Sequence, residues 1–142
     1  MSGTLTAERP TADLNEALVR RGYEAFGRGD VGGALAIMAD DILWHVPGRG
    51  PLSRDYRGPQ EVLGFFQHFM QLSNGTFRIR IEDVLAKDDK VVVLCVESAE
   101  RGGRGWSSPQ VHVWTVEDGR VQVFWQFQGD QQTEDEFWSG PA

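Results

Sequence analysis

Between Val111 and Phe127 the chain reads VHVWTVEDGRVQVFWQF, two runs of alternating side chains hinged at Glu117-Asp118-Gly119, which predicts a β-hairpin. Alternation puts Gln110, His112, Trp114 and Val116 on one face of the first strand and Val111, Val113 and Thr115 on the other. The second strand presents Gln122, Phe124, Gln126 and Gln128 against Val121, Val123, Trp125 and Phe127. A ribbon with one face in water does not need so much apolar surface on both sides. At least one face is therefore expected to line a cavity or a subunit contact, and a lone histidine sits among these aromatics.

The rest of the chain supplies the partners of this ribbon. From Asp13 to Arg28, Leu14, Leu18, Gly22 and Phe26 recur every four residues, as on an amphipathic helix. Asp30 can cap a shorter helix that turns Ala34, Leu35, Ile37 and Met38 inward and stops at Asp40-Asp41. Ile42 to Val46 reads as a short strand, and the Pro- and Gly-rich stretch 47–51 as a loop. Gly58-Pro59 opens a third helix, with Val62, Phe65, Phe66, Phe69 and Met70 along one side. After Ser73-Asn74-Gly75 the period changes to two, through Phe77, Ile79 and Ile81 and then Val91 to Ser98, before a glycine-rich turn at 101–105 leads into the ribbon. Three N-terminal helices followed by a four-stranded antiparallel meander make an α+β domain with the helices on one side of a curved sheet.

With 142 residues, 40% of them hydrophobic, there is material for one core and no second domain. Residues 1–12 read as a flexible N-terminal arm, 13–138 as the domain and 139–142 as a C-terminal tail. Fourteen basic against 21 acidic residues give a net charge of -7, and the basic residues form no run, which argues against nucleic acid and against anionic membrane surfaces. Neither a signal peptide nor a membrane-spanning stretch is evident, so a cytoplasmic location is the expectation. Cys95, the single cysteine, is flanked by Val93, Leu94 and Val96 and reads as a buried thiol rather than a nucleophile.

Several local signatures coincide along the chain: Tyr23-Glu24-Ala25-Phe26 through Gly29-Asp30, Ala39-Asp40-Asp41-Ile42, Trp44-His45-Val46-Pro47-Gly48, Pro51-Leu52, Tyr56-Arg57-Gly58, Asp118-Gly119-Arg120-Val121 and Phe127-Gln128-Gly129-Asp130-Gln131. Over about residues 14–138 the chain thereby resembles the nuclear transport factor 2-like superfamily, and within it the SnoaL-like and ketosteroid-isomerase-like proteins. The resemblance implies a cone-shaped curved antiparallel sheet with three N-terminal helices and a ligand site inside the cone. It is specific for fold and poor for function, because this fold serves isomerases, cyclases, hydrolases and proteins with no reaction. The ketosteroid-isomerase mechanism itself does not carry over. Its aspartate base falls at Val46, which moves no proton. Its tyrosine donor falls at Gly22, with Tyr23 one residue and about 100° around the helix away. Its protonated aspartic acid falls at His112.

His112 is thus the leading candidate for chemistry, since imidazole transfers protons near neutrality. The competing reading is a core histidine satisfied by Gln110, Gln126 or a backbone group. The resemblance suggests Asp130 as a carboxylate partner, as SnoaL-like cyclases pair histidine with aspartate, although Asp130 can equally cap the tail or face solvent. Gln126 and Gln128 share the expected inner face and suit a carbonyl or hydroxyl, while Tyr23, Trp44, Tyr56, Phe69, Trp114 and Phe124 would form apolar walls, unless the aromatics fill the cone entirely. His45, beside Trp44, is expected to face solvent. The histidines have no metal-ligand spacing and no glycine loop fits a phosphate, so no metal and no cofactor are expected.

These residues point to a protein binding an apolar oxygenated small molecule, with acid-base chemistry of the isomerase, cyclase or hydrolase kind centred on His112. The alternative is a noncatalytic ligand-binding or dimerisation module of the same fold. A homodimer is expected through the outer sheet face, Val111, Val113, Val123, Trp125 and Phe127. The C-terminal segment should fold back through Phe137 and Trp138 and leave Glu134, Asp135 and Glu136 in solvent. Replacement of His112 by Phe is expected, on the sequence alone, to cost little stability.

Overall fold

A computed structural model describes residues 2–141, with side chains from 11 to 141; Met1 and Ala142, the extreme ends of the expected arm and tail, lie outside the described residues. Helices α1 (Ser2–Gly27) and α2 (Val31–Leu35) precede strands β1 (Met38–Val46) and β2 (Arg54–Arg57), then α3 (Gly58–Leu72), the strands β3 (Arg78–Lys87), β4 (Lys90–Arg101), β5 (Arg104–Glu117) and β6 (Arg120–Gln128), and α4 (Gln131–Ser139). The α+β cone is as the residues implied. α1 nevertheless begins far ahead of Asp13, so that the stretch expected as an arm is helical; Leu5, Ala7, Glu8 and Arg9 are strong helix formers and continue it.

The six strands form one sheet in the order β2-β1-β6-β5-β4-β3. It is not wholly antiparallel. β1 runs parallel to β6, with Trp44 opposite Phe124 and His45 opposite Trp125. Residues 38–41, assigned from the sequence to the second helix, belong to β1 instead. The sheet ladder there outweighs a helix of only five residues, which Asp30 caps by accepting from the Gly33 amide at 2.9 Å. β2 is a short edge strand that gave no sequence signal of its own.

Alternation holds along β4 to β6. Val91, Val93, Cys95, Glu97 and Ala99 of β4, Gln110, His112, Trp114 and Val116 of β5, and Phe124 and Gln126 of β6 are all buried. Val121 departs from the expected face and is fully buried. Thr115 pairs with Val123 but Val116 with Val121, so one step of β5 spans two of β6 and the bulge turns Val121 inward. α3 lays Val62, Phe65, Phe66 and Phe69 into the same core. On the outer face Trp125 and Phe127 stay 41% and 50% exposed, beside half-buried Val111, Val113 and Val123.

α4 closes one end of the cone. Phe137 stacks on Trp106 at 5.3 Å and Trp138 approaches Phe77 at 6.3 Å, which is the fold-back expected of two adjacent aromatics. Glu136 is exposed and Asp135 half-buried, whereas Glu134 is buried, contrary to expectation. With Phe137 and Trp138 both directed inward, Glu134, three and four positions earlier, lies on the same helical face.

Candidate functional site

Inside the cone lies a cavity of about 80 Å³ that opens to solvent at its mouth. The aromatics therefore do not fill the cone. Phe26 from α1, Trp44 from β1, Phe66 and Phe69 from α3, and Trp114 and Phe124 from the ribbon form its walls. Trp44 stacks on Phe124 at 3.8 Å and meets Trp114 edge-on at 5.5 Å. The Trp44 indole N–H is buried without a hydrogen-bond partner, an unusual state for a donor in a folded core.

One wall carries a chain of polar groups. His112 is 3% exposed, and its Nε2 lies 2.9 Å from Glu97 Oε2 while its Nδ1 lies 2.6 Å from the Tyr23 hydroxyl. The Trp114 indole N–H donates to the Tyr23 oxygen at 3.0 Å. Indole can only donate, so Tyr23 accepts from Trp114 and keeps its own proton for His112 Nδ1; the proton on Nε2 then points to the Glu97 carboxylate. Every link is satisfied by a single tautomer. Burial pushes the Tyr23 hydroxyl well above its ordinary range, with Cys95 and Glu97 adding to the effect against the Trp114 hydrogen bond, so Tyr23 acts as a neutral hydroxyl. Cys95 Sγ sits 3.7 Å from His112 Nδ1. Burial, with help from Glu97 and Glu82, pushes its thiol up to about 12, which makes it inert as a nucleophile.

A second carboxyl reaches the cavity from α4. Glu134 is 5% exposed, and the amides of Gln110, Gln126 and Gln131 donate to it at 3.5, 3.4 and 3.4 Å. Burial above all, and then the neighbouring Glu97 and Asp135, push its carboxyl up to about 9 against those hydrogen bonds. At neutral pH it is an uncharged acid.

Of the residues singled out in the sequence, His112, Tyr23, Trp44, Phe69, Trp114, Phe124 and Gln126 line the cavity. Three do not. Tyr56 is buried, but its hydroxyl donates to the Leu52 carbonyl at 2.7 Å and serves the loop. Gln128, at the end of β6, bonds Gln110 and Gln131 and lies outside the lining. Asp130 caps α4, accepting from the Thr133 amide at 3.0 Å and the Thr133 hydroxyl at 2.7 Å, and is exposed. Those hydrogen bonds hold its carboxyl below the ordinary range. A helix cap faces the new helix rather than the sheet, so the expected pair of His112 with Asp130 does not form and Glu97 takes that place. His45 faces outward, stacked on Trp125 at 3.7 Å and hydrogen-bonded to Asp55 at 2.6 Å; it is half-buried rather than free in solvent.

Glu97 and Glu134 are the functional candidates that sequence reasoning missed. Glu97 was within reach: it continues the inward row Val91, Val93, Cys95, and a charged residue in such a row signals a buried partner.

A family profile described as a SnoaL-like domain matches residues 19–124. An uncharacterised protein of Mycobacterium tuberculosis is 30% identical over 130 residues, 91% of this chain and 99% of its own. Among solved structures, Bal32a from a soil-derived mobile gene cassette superposes with a TM-score of 0.86 at 32% identity, covering 89% of this chain and 98% of that one. A Xanthomonas campestris protein with a cystatin-like fold gives a TM-score of 0.83 at 30% identity over 89% and 98%.

Proposed function

The chain belongs to the SnoaL-like domain family, with the nuclear transport factor 2-like fold, and on that premise we propose that its cone binds an apolar, oxygen-bearing small molecule and that the Tyr23, His112 and Glu97 chain performs acid-base chemistry on it. The observation that carries this reading is a buried imidazole held between a carboxylate and a hydroxyl on the wall of a largely apolar cavity. Glu97 orients the ring and offsets positive charge on it when a proton arrives, as the carboxylate of a catalytic dyad does. Tyr23 stands at the other nitrogen and relays the proton. Enolising isomerases and aldol-type cyclases begin from such a transfer beside a carbonyl, and in a hydrolase the same group would take a proton from water.

The test is hydrogen exchange. The protein in deuterated water is expected to accelerate α-proton exchange of a cyclic ketone such as 2-tetralone, followed by NMR, and Glu97→Gln is expected to slow it by about 100-fold, the lower range for a general acid-base contribution. Ketones that bind without exchanging would support a different reading, a ligand carrier. One observation favours that reading: both His112 nitrogens already have partners.

The outer sheet face belongs to the same proposal. Trp125 and Phe127, stacked on each other at 5.9 Å, together with Leu94, 37% exposed, make an apolar surface suited to a second copy of the chain. Sedimentation at micromolar concentration is expected to give a dimer, and Trp125→Glu with Phe127→Glu a monomer. A monomeric wild-type protein would remove the dimer from the proposal.

A further inference from the structure

The charge and hydrogen-bonding character of the cavity also bear on what it accepts. Its acidic groups are Glu97 from β4 and Glu134 and Asp135 from α4; His112 from β5 and Tyr23 from α1 complete its titratable lining, and neither Lys nor Arg is among the lining residues. An anionic ligand would enter a low-dielectric space already shared by carboxyl groups, with no cation to offset its charge. Hydrogen bonding points the same way. Both oxygens of Glu134 receive amide N–H groups, Oε1 from Gln110 and Gln126 and Oε2 from Gln131, while the neighbouring Glu97 and Asp135 disfavour a charge on it. Trp44 also keeps its indole N–H buried without an acceptor, while the buried Gln110 Oε1 beside Glu134 lacks a donor. The enclosed site therefore has no cation to receive an anion, and the proton that burial keeps on Glu134 is the donor left to meet an uncharged oxygen.

Deepening the small-molecule reading above and resting on it, we infer that the cone selects uncharged carbonyl compounds over carboxylates, and that Glu134 is the specificity-determining residue, donating its acid hydrogen to the carbonyl oxygen of the ligand. α4 carries this residue, so the C-terminal helix is part of the ligand site as well as a plug of the cone. Loop 47–53 is tied to the same helix: Asp135 accepts from the Arg49 amide at 2.9 Å, and Gln131 donates to the Pro47 carbonyl at 3.4 Å.

The experiment compares two probes of one ring system, 2-acetylnaphthalene and 2-naphthoate, by calorimetric titration of the full chain at pH 7. The ketone is expected to bind at least about 30-fold more tightly than the carboxylate. Glu134→Leu should weaken the ketone by about tenfold, the upper range for one neutral hydrogen bond, whereas Glu134→Gln, which keeps an N–H donor, should retain it. In the wild type the ketone affinity should fall as pH passes about 9, and in Glu134→Gln it should not. Equal binding of the two probes, or an unchanged ketone affinity in Glu134→Leu, would overturn the inference while leaving the pocket intact. Binding of neither probe would overturn the inference and the small-molecule reading together.

Discussion

Replacing His112 with phenylalanine is expected to destabilise the protein by about 3–5 kcal/mol, the usual cost of leaving a buried charged group without its partner. The sequence alone argued for the opposite, because an isolated imidazole on an aromatic wall costs free energy to desolvate and phenylalanine does not. The structure reverses the sign. The side chains of His112 and Glu97 are 3% and 7% exposed, so His112→Phe leaves the Glu97 carboxylate buried without its partner and takes the acceptor from the Tyr23 hydroxyl. Urea denaturation of His112→Phe, Glu97→Leu and the double variant would measure this as a cycle. The double variant should recover much of the loss, since two apolar side chains leave no orphaned charge. A single variant as stable as wild type would mean that Glu97 finds water or another donor, and the chain would lose its claim to be a preorganised acid-base unit.

The reversal shows which level of the molecule the residues disclose. Period-two alternation put His112, Trp114, Phe124 and Gln126 on one face because hairpin geometry fixes facing from local sequence. It could not identify the histidine's partner, because Glu97 pairs across β4 with Ser108, while Val93 is the residue opposite His112. The two side chains meet along the sheet's concave surface. They reach each other over an offset of four residues in register, which no local pattern in either strand marks. Tyr23 raises the same difficulty in a helix: placement one position from the family's tyrosine suggested that it would point elsewhere, yet the orientation of α1 against the sheet sends its hydroxyl to His112. The parallel pairing of β1 with β6 was hidden for a different reason. The two strands are separated by about half of the chain, and neither carries a local mark of its partner's direction. Glu134 was hidden by composition, since Glu134-Asp135-Glu136 reads as a solvated run until Phe137 and Trp138 fix which side of α4 faces inward.

Glu134 also gives the protein an unusual dependence on pH, and Glu134→Gln should expose it. A carboxyl raised from 4.5 to about 9 in the folded state is protonated in both folded and unfolded chains below pH 4.5, where it contributes no difference. Above pH 4.5 the unfolded chain ionises while the folded one retains its proton, so stability falls by about 1.4 kcal/mol per pH unit until the folded group ionises near 9. At pH 7 the accumulated loss is of the order of 3 kcal/mol by the same relation. Glutamine fits the same space, accepts from Gln110 and Gln126 through its oxygen, gives up only the long Gln131 contact and never ionises, so Glu134→Gln should lie close to wild type near pH 4.5 and exceed it by roughly that amount at pH 7. Thermal melts from pH 4.5 to 9 would show the gap widening throughout the interval. Parallel curves would mean that Glu134 is already ionised at neutral pH, solvated or neutralised by a cation, and the uncharged acid at the heart of the carbonyl-binding inference would not exist. The melting experiment reads the Glu134 proton through stability and the ligand titrations read it through binding, so the two test the same idea from opposite sides.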